Sequence, residues 1–390
     1  MTEDNDIRWA YVDYIGCEKR KLDAQKLLDY FKANGISIVS NPEKADIIIY
    51  ITCAFIKEFE NLSVKNIKDL YQKKMEGTQI IIGGCLPAIN PEVLTKFKNA
   101  ILIPVRETNQ IDEYINPKIR LNEICEPNKT IFENRKHRGK PINIHYTKTR
   151  KDYEAAKKGY KIRLSYGCMG NCTYCVTKYA TKSLKSEPVH KILAAFKKAV
   201  EIEEKTLFLT GGDSGAYGKD IGTNIVELLK KLLEIQGNYK FFFHDFGVQW
   251  LIKYEDTLIP LFKNHRENLG VFNFPIQSGS NKILKLMRRP YKIEKVIKVL
   301  NQLKHEVPQL QFGTHLIVGF PGENYKEFSK TMYLLDKIPF DFIMIFKYSD
   351  NPLAESSKLS DKIPEKEKDL RYSKLLEKYL DNHFKRNKKD

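Results

Sequence analysis

Residues 167–175 read GCMGNCTYC and place Cys168, Cys172 and Cys175 within eight residues, in a chain with only seven cysteines. A single idle thiol behaves as a small buried hydrophobe. Three of them at the spacing Cys-x3-Cys-x2-Cys are poorly explained as core filling. The run before them, KIRLSYG, has the grammar of a strand, and similar runs recur as TLFLTGG, KFFFHDFG, GVFNFPIQ, THLIVGF and FDFIMIFKYS. Helical stretches such as TNIVELLKKLLEI and NYKEFSKTMYLLDKI separate them. Six β/α units predict a curved, partial version of the eight-stranded α/β barrel, with its chemistry at the carboxyl ends of the strands. Cys168 follows the first of these strands directly.

The first 110 residues repeat a similar rhythm. IRWAYVDYIG reads as a strand and EKRKLDAQKLLDYFKANG as a helix closed by Gly35. ADIIIYIT is the continuous apolar run of a parallel strand buried on both faces, and QIIIGG and AILIPV follow. Strands alternating with helices predict a doubly wound parallel sheet, so the fold class is α/β. Cys17, Cys53 and Cys85 stand at the ends of the first three long strands, 36 and 32 residues apart. Right-handed crossovers bring such strand ends to one edge, where ligands bind in open α/β sheets. Three cysteines distant in sequence are therefore expected to meet in space.

The chain is expected to divide into an amino-terminal domain over 1–125, a basic linker over 126–158, the barrel over 159–360, and a helix with a basic tail over 361–390. Cys125 reads as a structural thiol. A hydrophobic share of 42% with 29% charged residues suits a globular chain of 390 residues. No apolar run reaches 18 residues and MTEDNDIRW is not a leader, which predicts a cytoplasmic protein without membrane contact, its thiols reduced. The net charge of +17 points to a polyanionic partner. Residues 135–163 carry eleven Lys or Arg against Asp152 and Glu154. That run, with Lys385–Lys389, reads either as a phosphate-contacting surface or as a solvated linker.

Three reduced thiols suit zinc or an iron–sulfur cluster. A closed zinc site needs a fourth ligand, for which His190 would have to serve. A cubane cluster on three cysteines instead leaves one iron open to a small molecule. Two sites, each one ligand short, suggest two clusters that both take part in chemistry.

Cys168-x3-Cys172-x2-Cys175 resembles the signature of radical S-adenosylmethionine (SAM) enzymes. The spaced Cys17, Cys53 and Cys85 resemble the amino-terminal domain of the methylthiotransferases. LTGGDSGAYGKDIGTNIVELL, PIQSGSNKILKLMRR, LIVGFPGENYKEF and FKYSDNPLAE continue the likeness, which runs from about Trp9 to Leu359. CTYCVTKYA and DSGAYGKDIGTN look most like the archaeal and eukaryotic branch that modifies threonylcarbamoyladenosine at tRNA position 37. The sequence departs from the pattern in three places. Arg20 stands where many relatives have asparagine, YATKSLKSEP lacks the usual Arg-Gly, and no carboxyl-terminal TRAM β-barrel is expected after the basic tail.

The resemblance implies two [4Fe-4S] clusters and SAM as cofactors. Cys168, Cys172 and Cys175 would hold the cluster that cleaves SAM to a radical, with Tyr174 shielding it. Cys17, Cys53 and Cys85 would hold a second cluster that carries the sulfur to be methylated. Gly211, Gly212 and Asp213 would meet the methionyl part of SAM, Asp213 taking its ammonium; a strand-to-helix turn with Asp213 as cap explains the same residues. Gln277, Ser278 and Ser280 would meet the ribose, or cap a helix. Gly319 to Glu323 would back the adenine, or form a simple turn. His244, His315 and Tyr217 receive no role beyond hydrogen-bonded packing. The implied reaction is C–H to C–SCH3 on tRNA adenosine-37, by a monomer served by an external low-potential electron donor and a sulfur source. A peptide or protein side chain is the alternative substrate, favoured by the missing TRAM domain. A zinc-stabilised RNA-binding module without catalysis is the third reading.

Overall fold

The computed structural model describes residues 7–134 and 148–387. The chain forms two compact units, Met1–Pro141 with Val176–Lys182, and Ile142–Cys175 with Ser183–Asp390.

The first unit is a five-stranded parallel sheet of β1 (Trp9–Tyr14), β2 (Ser37–Ile38), β3 (Ile47–Thr52), β4 (Gln79–Gly84) and β5 (Ala100–Pro104). Their order is β2-β1-β3-β4-β5, all parallel. Every residue of β3 is buried, as its unbroken apolar run requires of a central strand. Helix Glu18–Ala33 packs Leu27, Leu28 and Phe31 into the sheet core and stops at Asn34, where Gly35 turns the chain at φ +76°. The order reverses between β1 and β3, which is the topological switch point where doubly wound sheets bind ligands. Strand β2 is only two residues long, too short to leave a pattern in the sequence.

The second unit is a six-stranded parallel sheet. Its strands are β6 (Tyr160–Arg163), β9 (Thr206–Thr210), β10 (Lys240–Phe243), β11 (Leu269–Asn273), β12 (Gln311–Val318) and β13 (Phe342–Lys347), hydrogen-bonded in that order. Between β6 and β9, β7 (Ser165–Tyr166) and β8 (Lys185–Ser186) form a small antiparallel ladder. Outward side chains such as Ile162, Leu209, Phe243, Phe272 and Leu316 join the helices in one large core. Each fully buried Leu or Phe there contributes about 1.5–3 kcal/mol. The inward positions build a separate cluster of Phe208, Phe242, Val271 and Phe342, near the amino-terminal ends of the strands. This is the expected partial (β/α)6 barrel.

Helix Lys148–Ala156 plugs that cluster. Tyr153 is fully buried, its ring stacked on Phe342 at 5.1 Å and tilted against Phe208 at 5.8 Å. The expected basic linker therefore contains a core helix. Some basic residues of the charge run also turn inward. Arg150 is 2% exposed and packs over Tyr153 and Phe342, and Lys161 and Arg163 are buried on β6. These three cannot form the phosphate-contacting surface that the charge run suggested; Arg135, Lys136, Arg138 and Lys140 lie outside the described residues, as do Lys388 and Lys389. The polar composition hid the helix, because two side chains, Tyr153 and Ala156, do most of its packing. Cys125 is exposed rather than packed. Among the described residues no helix is long and apolar enough to cross a membrane.

Replacing Tyr153 by alanine should cost about 3 kcal/mol of stability, because a core aromatic is lost and the barrel end is left open. Urea unfolding with an unchanged slope measures it; a loss below about 0.5 kcal/mol would mean the helix is surface decoration.

Candidate active site

In the first unit the three cysteines follow three adjacent strands. Cys17 is the residue before helix Glu18–Ala33, Cys53 directly follows β3, and Cys85 directly follows β4. The strand ends are tied together. Cys85 N donates to Thr52 O at 3.1 Å, and Thr52 Oγ1 donates to Gly83 O at 2.6 Å and accepts from Leu86 N at 3.2 Å. Ser63 fixes Cys53 from the following helix, accepting from its N at 3.1 Å and donating to its O at 2.8 Å. Gly16, at φ +125°, backs onto Cys53; a methyl there would stand 3.3 Å from Cys53 Sγ. Cys17 is exposed while Cys53 and Cys85 are buried. Burial raises the thiol pKa of Cys53, and its neighbours Cys85 and Cys17 raise it further. The convergence expected from the sequence is thus present.

Arg20 is the surprise of this site. It is buried, pairs with Asp23 at 2.8 Å, and its Nη1 points at Cys85 Sγ at 3.8 Å. Burial raises the Cys85 thiol, and the Arg20 charge opposes that rise.

In the second unit Cys168, Cys172 and Cys175 lie on the loop after β7. Gly170 N donates to Cys168 Sγ at 3.1 Å, and a methyl on Gly170 would stand 3.2 Å from Cys168 Sγ and 3.7 Å from Cys172 Sγ, so both sulfurs crowd one point. Burial pushes the Cys168 thiol up to about 12, with Asp213, Cys175 and Cys172 adding to it. Thiols so hard to ionise must shed protons on binding a metal centre, which makes loading pH-dependent. Gly212 explains how the loop is placed. Its Cβ position lies 1.7 Å from Gly167 O and 3.4 Å from Cys168 Cβ, so only glycine admits this contact; a methyl on Gly211 would meet Ser165 Oγ at 2.8 Å.

The other expected site residues divide. Asp213 Oδ1 accepts from Gly215 N (3.2 Å) and Gly247 N (2.9 Å), and Oδ2 from Gln249 Nε2 (2.9 Å) and Trp250 Nε1 (2.8 Å). Four donors use all the acceptor capacity of a carboxylate, so the ammonium role falls and the cap reading stands. Ser280 caps helix Asn281–Leu286, accepting from Ile283 N at 3.2 Å, and donates to Glu327; Ser278 accepts from Ser280 N at 3.2 Å. Both side chains are buried and hydrogen-bonded within the protein, in the arrangement of a helix cap. Gln277 keeps its interest, since it holds φ +79° without being glycine. Gly319 N donates to Glu323 Oε2 at 3.0 Å, and its missing Cβ makes room for Lys368 Cγ at 2.3 Å. Glu323 in turn meets Arg371, and burial pushes its carboxyl up to about 7. Tyr174 packs beside Ile283, Met287 and Tyr348. Tyr217 is a core residue whose hydroxyl donates to Glu187 O.

Sequence reasoning missed Arg289. Its Nη1 donates to Cys172 Sγ at 3.4 Å, Nη2 to Pro275 O and Nε to the Tyr291 hydroxyl, both at 2.9 Å. Its place within the quoted LMRR run was the only hint. Each cysteine trio therefore has one arginine aimed at a sulfur.

Both donor sets consist of three thiols, a set that suits an iron–sulfur cluster or zinc. All seven cysteines are free. Tetrahedral zinc would draw its sulfurs to about 3.8 Å from one another. Among the described residues no three His, Cys, Asp or Glu side chains are grouped to hold a single metal ion.

Residues 162–335 match the Radical SAM superfamily, and residues 9–103 match uncharacterized protein family UPF0004. The chain is 31% identical over 359 residues to a "Probable threonylcarbamoyladenosine tRNA methylthiotransferase" of Methanocaldococcus jannaschii, covering 90% of this chain and 78% of that one. The chain belongs to the radical SAM methylthiotransferase family. A second relative, "Ribosomal protein uS12 methylthiotransferase RimO" of Pelobacter propionicus, is 29% identical over 388 residues, covering 96% and 82%. The fold also resembles the radical SAM methyltransferase TsrM of Kitasatospora setae, with TM-score 0.56, 10% identity, and 87% and 75% of the two chains covered. As a radical SAM methylthiotransferase, the enzyme uses SAM and [4Fe-4S] clusters.

Gly212→Ala in this methylthiotransferase should push the cysteine loop away from Gly167, lowering stability by about 1–3 kcal/mol. Denaturant unfolding reads the loss, and an unchanged midpoint would mean that the two loops do not touch.

Proposed function

We propose that this methylthiotransferase replaces a C–H bond by C–SCH3 on tRNA, at adenosine-37 of the threonylcarbamoyladenosine type. What carries the reading is the pair of cysteine trios, each at strand carboxyl ends of its own parallel sheet, in a chain 31% identical to an enzyme named for that reaction. The net charge of +17 supports a polyanionic substrate. A second reading, a protein side chain, is supported by the uS12 enzyme at 29% identity over nearly the whole chain. The enzyme acts as a cytoplasmic monomer that draws on an external low-potential electron donor and a sulfur source.

When bound, SAM and the two clusters supply one-electron cleavage to a carbon radical and the transferable sulfur. The protein's own residues hold and shield. Cys168, Cys172 and Cys175 hold one cluster, with Arg289 placing a fixed positive charge at Cys172. Cys17, Cys53 and Cys85 hold the other, with Arg20 at Cys85. An N–H donor to a cluster sulfur stabilises the reduced, more negative state and so raises its potential. Asp213 staples the β9 loop to the β10 loop, and the plug of Tyr153 and Phe208 keeps water out of one end of the barrel.

The triple variant Cys168→Ala, Cys172→Ala, Cys175→Ala should fall from about eight irons to about four and stop forming 5′-deoxyadenosine. Cys17→Ala, Cys53→Ala, Cys85→Ala should lose the other four or so, keep 5′-deoxyadenosine formation and lose methylthio transfer. Continued SAM cleavage in the first variant, or methylthiolated product from the second, would reverse the assignment. Mass spectrometry of tRNA nucleosides and of ribosomal proteins, from cells with and without the gene, decides the substrate. A methylthio group found only on protein would make the second reading the function.

A further inference from the structure

Beyond β13, the last strand of the barrel, the chain returns to loops that belong to earlier strands. Thr173, between Cys172 and Cys175, is the first point of return. Its N donates to Met287 O at 3.3 Å and its Oγ1 to Leu286 O at 2.8 Å. Its carbonyl accepts from Ser356 N at 3.0 Å. All three polar groups of this residue are therefore held, one of them from the short helix Glu355–Lys358. Ser356 is fully buried, and its Oγ lies 2.8 Å from the hydroxyl of Tyr348, which directly follows β13.

The second point of return is the loop of residues 319–323, directly after β12. Gly322 N donates to Asp361 O at 2.9 Å. Helix Glu365–Asn387 then adds two long cations. Lys368 Cγ lies 2.3 Å from where a Gly319 Cβ would stand, and Lys368 Nζ donates to Tyr348 O at 2.9 Å. Arg371 Nη1 donates to Glu323 O and, at 3.2 Å, to Glu323 Oε1, while Glu323 Oε2 accepts from Gly319 N at 3.0 Å. On their own helix Lys368 pairs with Glu365 at 2.6 Å and Arg371 with Glu367 at 2.8 Å. Lys368, Arg371 and Glu323 are each 5% exposed or less. A buried ion pair adds little stability over apolar packing of the same volume, whereas its hydrogen bonds admit few arrangements of the groups they join. An apolar cluster joins the same three segments: Tyr174 of the cysteine loop, Phe320 of the loop after β12, and Tyr348 and Leu359 from beyond β13. The rings of Phe320 and Tyr348 meet edge to face at 5.3 Å.

We propose that residues 348–372 form a strap that positions the SAM site, with Ser356, Lys368 and Arg371 as its positioning residues. Ligands of parallel α/β barrels bind at the carboxyl ends of the strands. The strap holds two loops there, the one bearing Cys168, Cys172 and Cys175 and the one after β12, and it acts on SAM through them. SAM that binds best to loops in this arrangement favours the strapped state, and the strap then favours SAM by the same factor. The inference concerns SAM alone and holds whichever substrate is methylthiolated.

The test uses the full-length reconstituted enzyme. Hydrogen exchange should show SAM slowing the amides of residues 355–358 and 365–372 by about threefold or more. Tyr348→Phe keeps the ring and loses the bond to Ser356, and should weaken SAM binding about threefold. The double variant Glu323→Gln, Arg371→Met removes both charges together, so that neither is left buried without its partner, and should weaken SAM binding about tenfold. In both variants iron content stays at the wild-type level and KM for SAM rises, while 5′-deoxyadenosine formation at saturating SAM stays within about twofold of wild type. A strap whose exchange SAM leaves unchanged, or a folded double variant with wild-type SAM affinity, overturns the proposal and reduces these contacts to packing.

Discussion

In a parallel sheet every strand ends on the same edge, and the chemistry of this protein depends on that constraint. A residue placed directly after a strand arrives at that edge however far it lies from its partners in sequence. Cys17, Cys53 and Cys85 are assembled in this way from β1, β3 and β4, adjacent members of one ladder. The same rule brings the loop bearing Cys168, Cys172 and Cys175 beside the loop after β9, because β6 and β9 are neighbours in register from Tyr160↔Leu207 to Arg163↔Thr210. Close contact then requires the absence of a side chain, which Gly16 and Gly212 provide.

An arginine near each trio adds a second layer of control. Bare burial makes thiols hard to ionise, as at Cys53 and Cys168. A nearby guanidinium opposes this at Cys85, and another donates to Cys172. Arginine suits the task because it stays charged even when desolvated.

The parts of the fold legible in the sequence were those written in local pattern. The apolar run of β3 announced a central strand, and each cysteine at the end of such a run announced its place on the edge. Roles fixed by distant partners were not legible. Asp213 looked like a ligand because its donors Gln249 and Trp250 lie on another loop, and Ser280 because Glu327 lies on another helix. Arg289 and Cys172 are 117 residues apart, with no periodicity to connect them. Helix Lys148–Ala156 was hidden by charge, since Arg150 is stabilised among rings and by Glu154 rather than in water. The polar group of Asp245, Asn273 and His315 comes from the loop after β10 and from β11 and β12, and exists only in the folded barrel.

The central claim is that two cysteine trios hold two distinct clusters, only one of which binds SAM. Electron paramagnetic resonance of the reduced, reconstituted protein tests it most directly. The account predicts two cluster signals, of which SAM alters one, the signal absent when Cys168, Cys172 and Cys175 are replaced. A single cluster signal, or SAM altering the signal that depends on Cys17, Cys53 and Cys85, would contradict it.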